Sequence, residues 1–599
     1  MNDRVTHILA GILLVIVFSL SLFSIKDDSL TMDEVAHLPA GYSYLTQKDM
    51  RLNPEHPPLL KDLAALPLLF IKGINFPSEI KDWQEDINGQ WGFGYHFLYR
   101  AGNLADKMIF WGRLPMILLL ILLGFYIFKL AKELFGNKVA LLSLFFFSFS
   151  PTFLAHGRLV TTDVGAAFGV VFATYYFLKA LKIPKTKNIL LAGISLGIAE
   201  LLKFSLILLI PFFVFLAFFY WILKLSNGKE ILKTLSLVLI IYLILVWLVY
   251  LYHTFNYPPE RQLRDTQFIL TSYSGGPSSI KESCLLPKSF QKILRCPAEI
   301  TIWASDKPIL RALSHYSLGL LMIFQRAAGG HTTYFLGEVS AAGWKNYFPI
   351  VYLIKEPLAF HILTLISLLS VAWLIKKPLW INPVSRTKNW LKNHFPEFAM
   401  LTFISIYWTT SLASNLNIGV RHLLPVFPFT FVLVSLTITN LLKEPYLKLK
   451  YFLLAILILW EIISVISIYP HFLAYFNELA GGPNQGYIYT VDSNLDWGQD
   501  LKRLKKWVEE NKIEKIYVDY FGGGEAKYYL KEKFLPWQGT KDPKELPKGS
   551  YLAVSATFLQ GGRGLPAPGF DQPHSYYRWL DKYQPIVKIG YSIFIYQIK

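Results

Sequence analysis

Residues 204–252 read FSLILLIPFFVFLAFFYWILKLSNGKEILKTLSLVLIIYLILVWLVYLY. Two apolar runs, 204–223 and 232–252, are joined by a connection containing Lys224, Lys229 and Lys233. A bilayer core about 30 Å thick needs roughly 20 apolar residues per helix. This stretch therefore predicts two membrane-crossing helices joined on a basic side.

Working outward, similar runs lie near residues 7–25, 108–130, 138–155, 163–181, 188–202, 355–375, 397–413, 423–441 and 450–469. The expectation is a polytopic α-helical membrane protein with about eleven transmembrane helices. Residues 188–202 are short and contain Gly193, Gly197 and Glu200, so the boundary near Lys203 is poorly defined by pattern. The first run lacks a small-residue cleavage site and is read as an uncleaved helix. The chain is 53% hydrophobic and 17% charged, against about 25% charged in soluble domains. Its net charge of +18 is explained by loop lysines facing anionic lipid, with no need for nucleic acid.

Orientation follows from loop charge. With the N-terminus inside, the short inside loops contain Lys129, Lys132 and Lys138; Lys179, Lys182, Lys185 and Lys187; Lys224, Lys229 and Lys233; Lys376, Lys377, Arg386, Lys388 and Lys392; Lys443, Lys448 and Lys450. The short outside loops hold only Arg158, Lys203 and Arg421. Three long segments, 26–107, 253–354 and 470–599, then lie outside. The expected organisation is a transmembrane domain over 1–469 and an extracytoplasmic α/β domain over 470–599. Within the tail, KIYVDY, YLAVSA and IVKIGYSIFIYQI read as strands, while DLKRLKKWVEE and EAKYYLKEKF read as helices. In the first outside segment, PPLLKDLAALPLLFIKG is too short to span and reads as an interfacial helix.

Polar residues that could carry chemistry gather at the outside loops. TMDEVAH places the adjacent carboxylates Asp33 and Glu34 just past the first span, where mutual repulsion and desolvation prepare a base. A solvated pair beyond a helix end is the plainer alternative. In RLNPEHPPLLK, prolines stiffen the chain around His56, with Arg51 and Lys61 nearby, which suits an anionic ligand or simply a turn into the interfacial helix. HGRLVTTDVG puts Arg158 and Asp163 at membrane depth, as site residues or as a structural ion pair. RAAGGHTTYFLGEVSAAGW offers Arg326, His331, Tyr334 and Glu338, and SNLNIGVRHLLP offers Arg421 and His422. DSNLDWGQD lacks the ligand spacing of a calcium loop.

TMDEVAH, NPEHPPLLK, HGRLVTTD, GGHTTYFLGEVSAAGW, NIGVRHLLPVFPF and YFNELAGGPNQG…DSNLDWGQDL occur in that order, each at an outside position. Together they resemble the polyprenyl-phosphate-dependent glycosyltransferases of the C superfamily, in particular the relatives of protein O-mannosyltransferases and lipid A aminoarabinose transferases. The resemblance implies an inverting enzyme that moves a sugar from a polyprenyl phosphate to an acceptor protein, lipid or glycan at the outer face. It implies Asp33 as base and Glu34 near the acceptor. His56 stands where the aminoarabinose branch has a phosphate-contacting lysine, and Arg158 and Asp163 match an Arg/Asp pair of the mannosyltransferase branch. The donor phosphate is expected on His56, Arg158 and one of Arg326 or Arg421, with Lys61 in reserve; Asp163, His331, Tyr334 and Glu338 are further candidates.

The residues name no cofactor, and a divalent cation is left open. Cys284 and Cys296, both in the outside loop 253–354, are expected to form a disulfide. A transporter is the rival class, but it predicts internal repeats and broken midplane helices. A non-catalytic surface receptor is the other.

Overall fold

The computed structural model describes residues 2–276, 290–374, 382–443 and 447–599. Cys284 and the loop residues Lys376 and Lys377 lie outside the described residues. The chain is mostly helical. Among the described residues, seven helices are long and apolar enough to cross a membrane: Asp3–Ser24, Ala105–Phe135, Thr162–Lys182, Phe204–Ile222, Gly228–His253, Val420–Leu441 and Lys448–Ile466. An eighth crossing is formed if the bent pair Tyr347–Lys355 and Leu358–Trp373 counts as one.

The expected count of eleven is thus not reached by length and apolarity, and the shortfall has local causes. The run 138–155 breaks at Ser150, whose hydroxyl caps the short helix Pro151–His156 and leaves Asn137–Ser148 with only 12 residues. The pair around residue 356 bends by 115° at Pro357, where the missing N–H ends the first helix. Thr186–Leu202 is 17 residues long and ends at Lys203, which turns to extended backbone.

The chain divides into two compact units. One comprises Asp33–Pro115 and Val160–Gly329. Within it, Thr186–Leu202 packs between Thr162–Lys182 and Gly228–His253. Gly193 permits that approach, since a Cβ there would stand 2.6 Å from the Ile241 side chain. The apolar stretch after Pro58 forms the helix Leu59–Ala65 and the turn Leu66–Phe70, with Leu66, Leu69 and Phe70 exposed. That surface suits the interfacial placement expected from its length.

The other unit comprises Met1–Met32, Met116–Leu159 and Gly330–Lys599. Its α/β tail is built as the strand patterns suggested. In chain order the strands are β1 (Thr333–Phe335), β2 (Glu338–Ser340), β3 (Ile516–Asp519), β4 (Phe534–Pro536), β5 (Tyr551–Ser555), β6 (Leu565–Pro566), β7 (Val587–Ile589) and β8 (Ile593–Gln597). A five-stranded mixed sheet has the order β4-β3-β5-β8-β7, and a small sheet has the order β1-β2-β6. Strand β5 alternates little because both faces are covered; its Leu552 and Val554, with Phe594 and Tyr596 of β8, join Leu559 and Tyr577 in one core. The β7–β8 hairpin turns through left-handed backbone at Gly590 and Tyr591.

Candidate functional site

The Asp33–Glu34 pair divides by burial. Asp33 caps the helix Glu34–Gln47 from its N-terminal side, its carbonyl accepting from Ala36 and His37 N–H, and it is half-exposed. Glu34 is fully buried. Its Oε1 accepts from Arg113 Nε at 2.8 Å and from the Val160 N–H at 3.0 Å. Its Oε2 accepts from Arg113 Nη2 at 2.6 Å. This is a two-bonded guanidinium–carboxylate fork with no solvent-facing surface, so Glu34 is committed to Arg113 and not presented to an acceptor.

His37 completes the anchorage. Its Nδ1 donates to the Val160 carbonyl at 2.9 Å, so one peptide of the HGRLVTTD turn is held at both ends by residues of TMDEVAH. Burial holds the His37 imidazole below its ordinary pKa, with Asp33 pulling the other way. The His56 ring meets that of His37 edge-on at 5.1 Å. Burial first, then the neighbouring His37, Lys61 and Arg326, push the His56 imidazole well below its usual range. The same surroundings disfavour a charge on His56, which stands among the expected phosphate ligands.

The NPEHPP loop has its own tie. Lys61 is fully buried, and its Nζ donates to Tyr44 Oη at 2.8 Å, to Asn53 O and Oδ1 at 2.9 Å, and to His56 O at 2.8 Å. Three N–H groups already serve four acceptors, so Lys61 holds the loop and is not available to a phosphate. Burial draws this ammonium down to about 7. Arg326, expected as a phosphate ligand, lies 3.7 Å from Glu55 with its side chain 41% exposed. Asp163 accepts from Lys203 Nζ at 2.5 Å.

In the other unit, Arg158 donates from Nη1 to Asp28 Oδ2 at 2.5 Å, both side chains being almost fully buried. Arg503 Nη2 lies 2.8 Å from the other Asp28 oxygen, and its Nη1 donates to Asp500 Oδ1 at 2.6 Å. Arg421 lies over the Trp497 ring at 4.1 Å, and His156 meets the same indole at 5.8 Å. DSNLDWGQD proves to be a clasp. The Asn494 side chain accepts from Val420 N–H at 2.9 Å and donates to Tyr347 Oη at 2.9 Å, which fixes the loop carrying Arg421. Ser29 N–H donates to Gln499 O at 2.9 Å, and its hydroxyl donates to Gly498 O at 2.7 Å.

The remaining candidates are not brought to these groups. Tyr334 is buried in the tail's core, its hydroxyl donating to Ile488 O at 2.9 Å and accepting from Gln560. Glu338 accepts from Trp344 Nε1 at 3.1 Å at the surface, and His331 is exposed. Cys296 is disulfide-bonded; Cys284, its expected partner, lies outside the described residues. Among the described residues no group of three or more His, Cys, Asp or Glu is arranged to hold a metal ion.

Sequence reading missed Asp28, Arg113 and Arg503. Arg113 carried a usable signal, as a cation inside the apolar run 108–130. Asp28 and Arg503 carried none, being ordinary charges in polar segments.

Residues 95–250 match the family model described as dolichyl-phosphate-mannose-protein mannosyltransferase. No curated protein matches. Among solved structures, the chain is similar to the Archaeoglobus fulgidus oligosaccharyltransferase, at 14% identity and a TM-score of 0.48, over 89% of this chain and 64% of that one. It is also similar to ArnT from Cupriavidus metallidurans, solved with undecaprenyl phosphate, at 12% identity and a TM-score of 0.33 over 100% and 98% of the two chains. A third is the S. cerevisiae protein O-mannosyltransferase Pmt1-Pmt2 complex bound to its sugar donor, at 21% identity and a TM-score of 0.32 over 43% and 34%. The chain spans 64% of the length of the oligosaccharyltransferase, and at TM-scores below 0.5 no residue-by-residue correspondence is taken from any of these. Residues 95–250 are thus similar to the dolichyl-phosphate-mannose-protein mannosyltransferase family, within a chain that carries several helices long and apolar enough to cross a membrane.

Proposed function

We propose that this chain transfers a sugar from a polyprenyl-phosphate donor to an acceptor hydroxyl at the extracytoplasmic face, with inversion, using Asp33 as general base. The observation that carries the reading is the division of labour between adjacent carboxylates. Glu34 is locked to Arg113 and Val160, while Asp33 remains half-exposed at the mouth of the same helix. An acceptor hydroxyl needs a base that can reach it and return its proton to water. One carboxylate acting opposite the departing phosphate gives inversion in a single displacement.

A phosphate leaving group needs fixed cations, not a proton donor. Arg158 and Arg421 are assigned to it: each is a buried guanidinium held by the protein before any ligand arrives, one by Asp28 and one by Trp497. His56, where a charge is disfavoured, is assigned a hydrogen bond. The acceptor is a protein, lipid or glycan, and the N-terminus lies inside with the tail outside, following the lysine asymmetry.

The test is consumption of synthetic polyprenyl-phosphate sugars by the purified protein in lipid nanodiscs. Donor turnover by the wild type that collapses in Asp33→Asn supports the reading; no turnover of any polyprenyl-phosphate sugar overturns it. A cytoplasm-only reporter fused after Lys599 should be silent, and activity from it would reverse the orientation.

A further inference from the structure

The segment 253–354, read from loop charge as lying outside the membrane, carries the helices Phe290–Ala304 and Arg311–Gly329. Both are tied to the membrane-crossing helix Gly228–His253 well short of its His253 end. Trp247 Nε1 donates to Ile309 O at 3.0 Å, and the hydroxyls of Tyr242 and Tyr316 share a hydrogen bond of 2.9 Å. At a rise of 1.5 Å per residue, Trp247 lies about 9 Å and Tyr242 about 16 Å along the helix from His253. The apolar run 232–252 is about 30 Å long and fills a bilayer core, so both ties fall within it. The Ser314 hydroxyl donates to Thr301 O at 2.7 Å, which brings Phe290–Ala304 alongside at the same depth.

Phe290–Ala304 is built the wrong way round for water. Arg295 and Glu299 pair at 2.7 Å on its buried side, and Arg295 also donates to Tyr273 O at 2.8 Å. Its exposed stripe is Ile293, Leu294, Ile300 and Trp303, the last two 52% and 51% exposed. Ile309, 71% exposed, and Leu310 carry that stripe on to Trp247. There it meets the exposed stripe of the crossing helix, Leu243, Ile244 and Leu248. A cavity of about 940 Å³ lies between the two loop helices, lined by Leu294, Pro297, Ile300, Leu320, Leu321 and Phe324. A helix standing in water turns its charges outward and its apolar side chains inward, and a large exposed apolar face marks an interaction surface.

We propose that the apolar face of Phe290–Ala304, with Ile309 and Leu310, docks into the acyl-chain layer of the outer leaflet. Acyl chains are the occupant because the face continues the lipid-facing stripe of a membrane-crossing helix and lies at the depth of that stripe. The long loop is then seated in the bilayer through these helices rather than held above it. The inference goes beyond the transfer reaction and does not depend on Asp33 or on any donor ligand.

The experiment reads depth with a nitroxide on one introduced thiol of the full-length protein in phosphatidylcholine vesicles. Ile300→Cys and Trp303→Cys report the proposed face, and Ile309→Cys gives a third reading from the connecting turn. Each replaces an exposed side chain, so packing is left in place. Ile244→Cys on the crossing helix is the lipid standard; Lys506→Cys, at a side chain 75% exposed on the tail helix Leu501–Glu510, is the water standard. The chain without an introduced thiol gives the background of Cys284 and Cys296. Power saturation compares collision with oxygen, which concentrates among acyl chains, and with a nickel chelate confined to water. The labels at 300, 303 and 309 should match 244, with oxygen the stronger relaxant and the ratio reversed at 506. Nickel as the stronger relaxant at 300 and 303 would put the face in water and overturn the inference. Weak collision with both reagents would mean that a second copy or another stretch of chain covers the face, and overturns it equally.

Discussion

Replacing Glu34 by Gln tests whether the second carboxylate of the pair is a structural tie. The substitution keeps Oε1, and with it the hydrogen bonds from Arg113 Nε and the Val160 N–H. It turns Oε2 into an N–H group facing Arg113 Nη2, formerly 2.6 Å away, and removes the Glu34 charge from a guanidinium that is 1% exposed. Removing one partner of a buried pair costs about 3–5 kcal/mol. Because half of the fork survives, the lower end, about 3 kcal/mol, is expected for Glu34→Gln. Arg113→Met takes both guanidinium bonds from the buried carboxylate and should cost about 4–5 kcal/mol. The double variant Glu34→Gln, Arg113→Met removes both charges and still satisfies Val160, so its cost should fall to about 1–2 kcal/mol, well below the sum of the singles. The assay is the apparent thermal and chaotrope midpoint of each purified variant in detergent, followed by monodispersity. Additive losses in the double variant would refute the reasoning, as would a Glu34→Gln chain as stable as wild type that fails only in acceptor affinity.

Asp33→Asn should drop turnover by about 10²–10⁴-fold, the usual cost of losing a general base, while the protein still folds and binds donor; near-normal turnover removes Asp33 from the chemistry. Arg158→Ala should weaken donor binding severely, by about 2–5 kcal/mol, and His56→Ala more mildly, because a charge on the imidazole there is disfavoured; titration with a polyprenyl monophosphate ranks them. Asp496 is buried in the tail, its Oδ2 accepting from Thr557 N–H at 2.8 Å, and burial raises its carboxyl to about 8. The folded state then binds a proton that the unfolded chain has released, so stability should fall as pH rises from about 4 to 8 and level beyond. In Asp496→Asn that part of the pH slope should vanish from the thermal midpoints, and an unchanged slope would assign it elsewhere. Alkylation of the unreduced, denatured protein should label neither Cys284 nor Cys296; full labelling of both ends the disulfide expectation.

The membrane character and the order of elements were legible in the residues themselves. Runs such as 204–223 and 232–252 must cross or be buried as helices, because backbone polar groups in lipid have no other partner. The strands IYVD, YLAVS and the 587–597 hairpin were equally legible, since apolar residues with turn formers at their ends fix short strands locally. Local structure is encoded locally, and that part of the chain could be read residue by residue.

Only the tertiary structure decided which charge meets which. Arg158 binds Asp28, 130 residues distant, and Asp163 takes Lys203, 40 residues on. Glu34 looked like half of a catalytic pair until Arg113, 79 residues on, closed around it. Lys61 looked like a phosphate ligand until four acceptors occupied its three protons. The bend of 115° at Pro357 and the break at Ser150 likewise turned expected spans into shorter pieces. An arginine carries the same charge wherever it stands, so sequence fixes how many charges must be neutralised in a buried interior. Which partner neutralises each one depends on distances that only the folded chain sets.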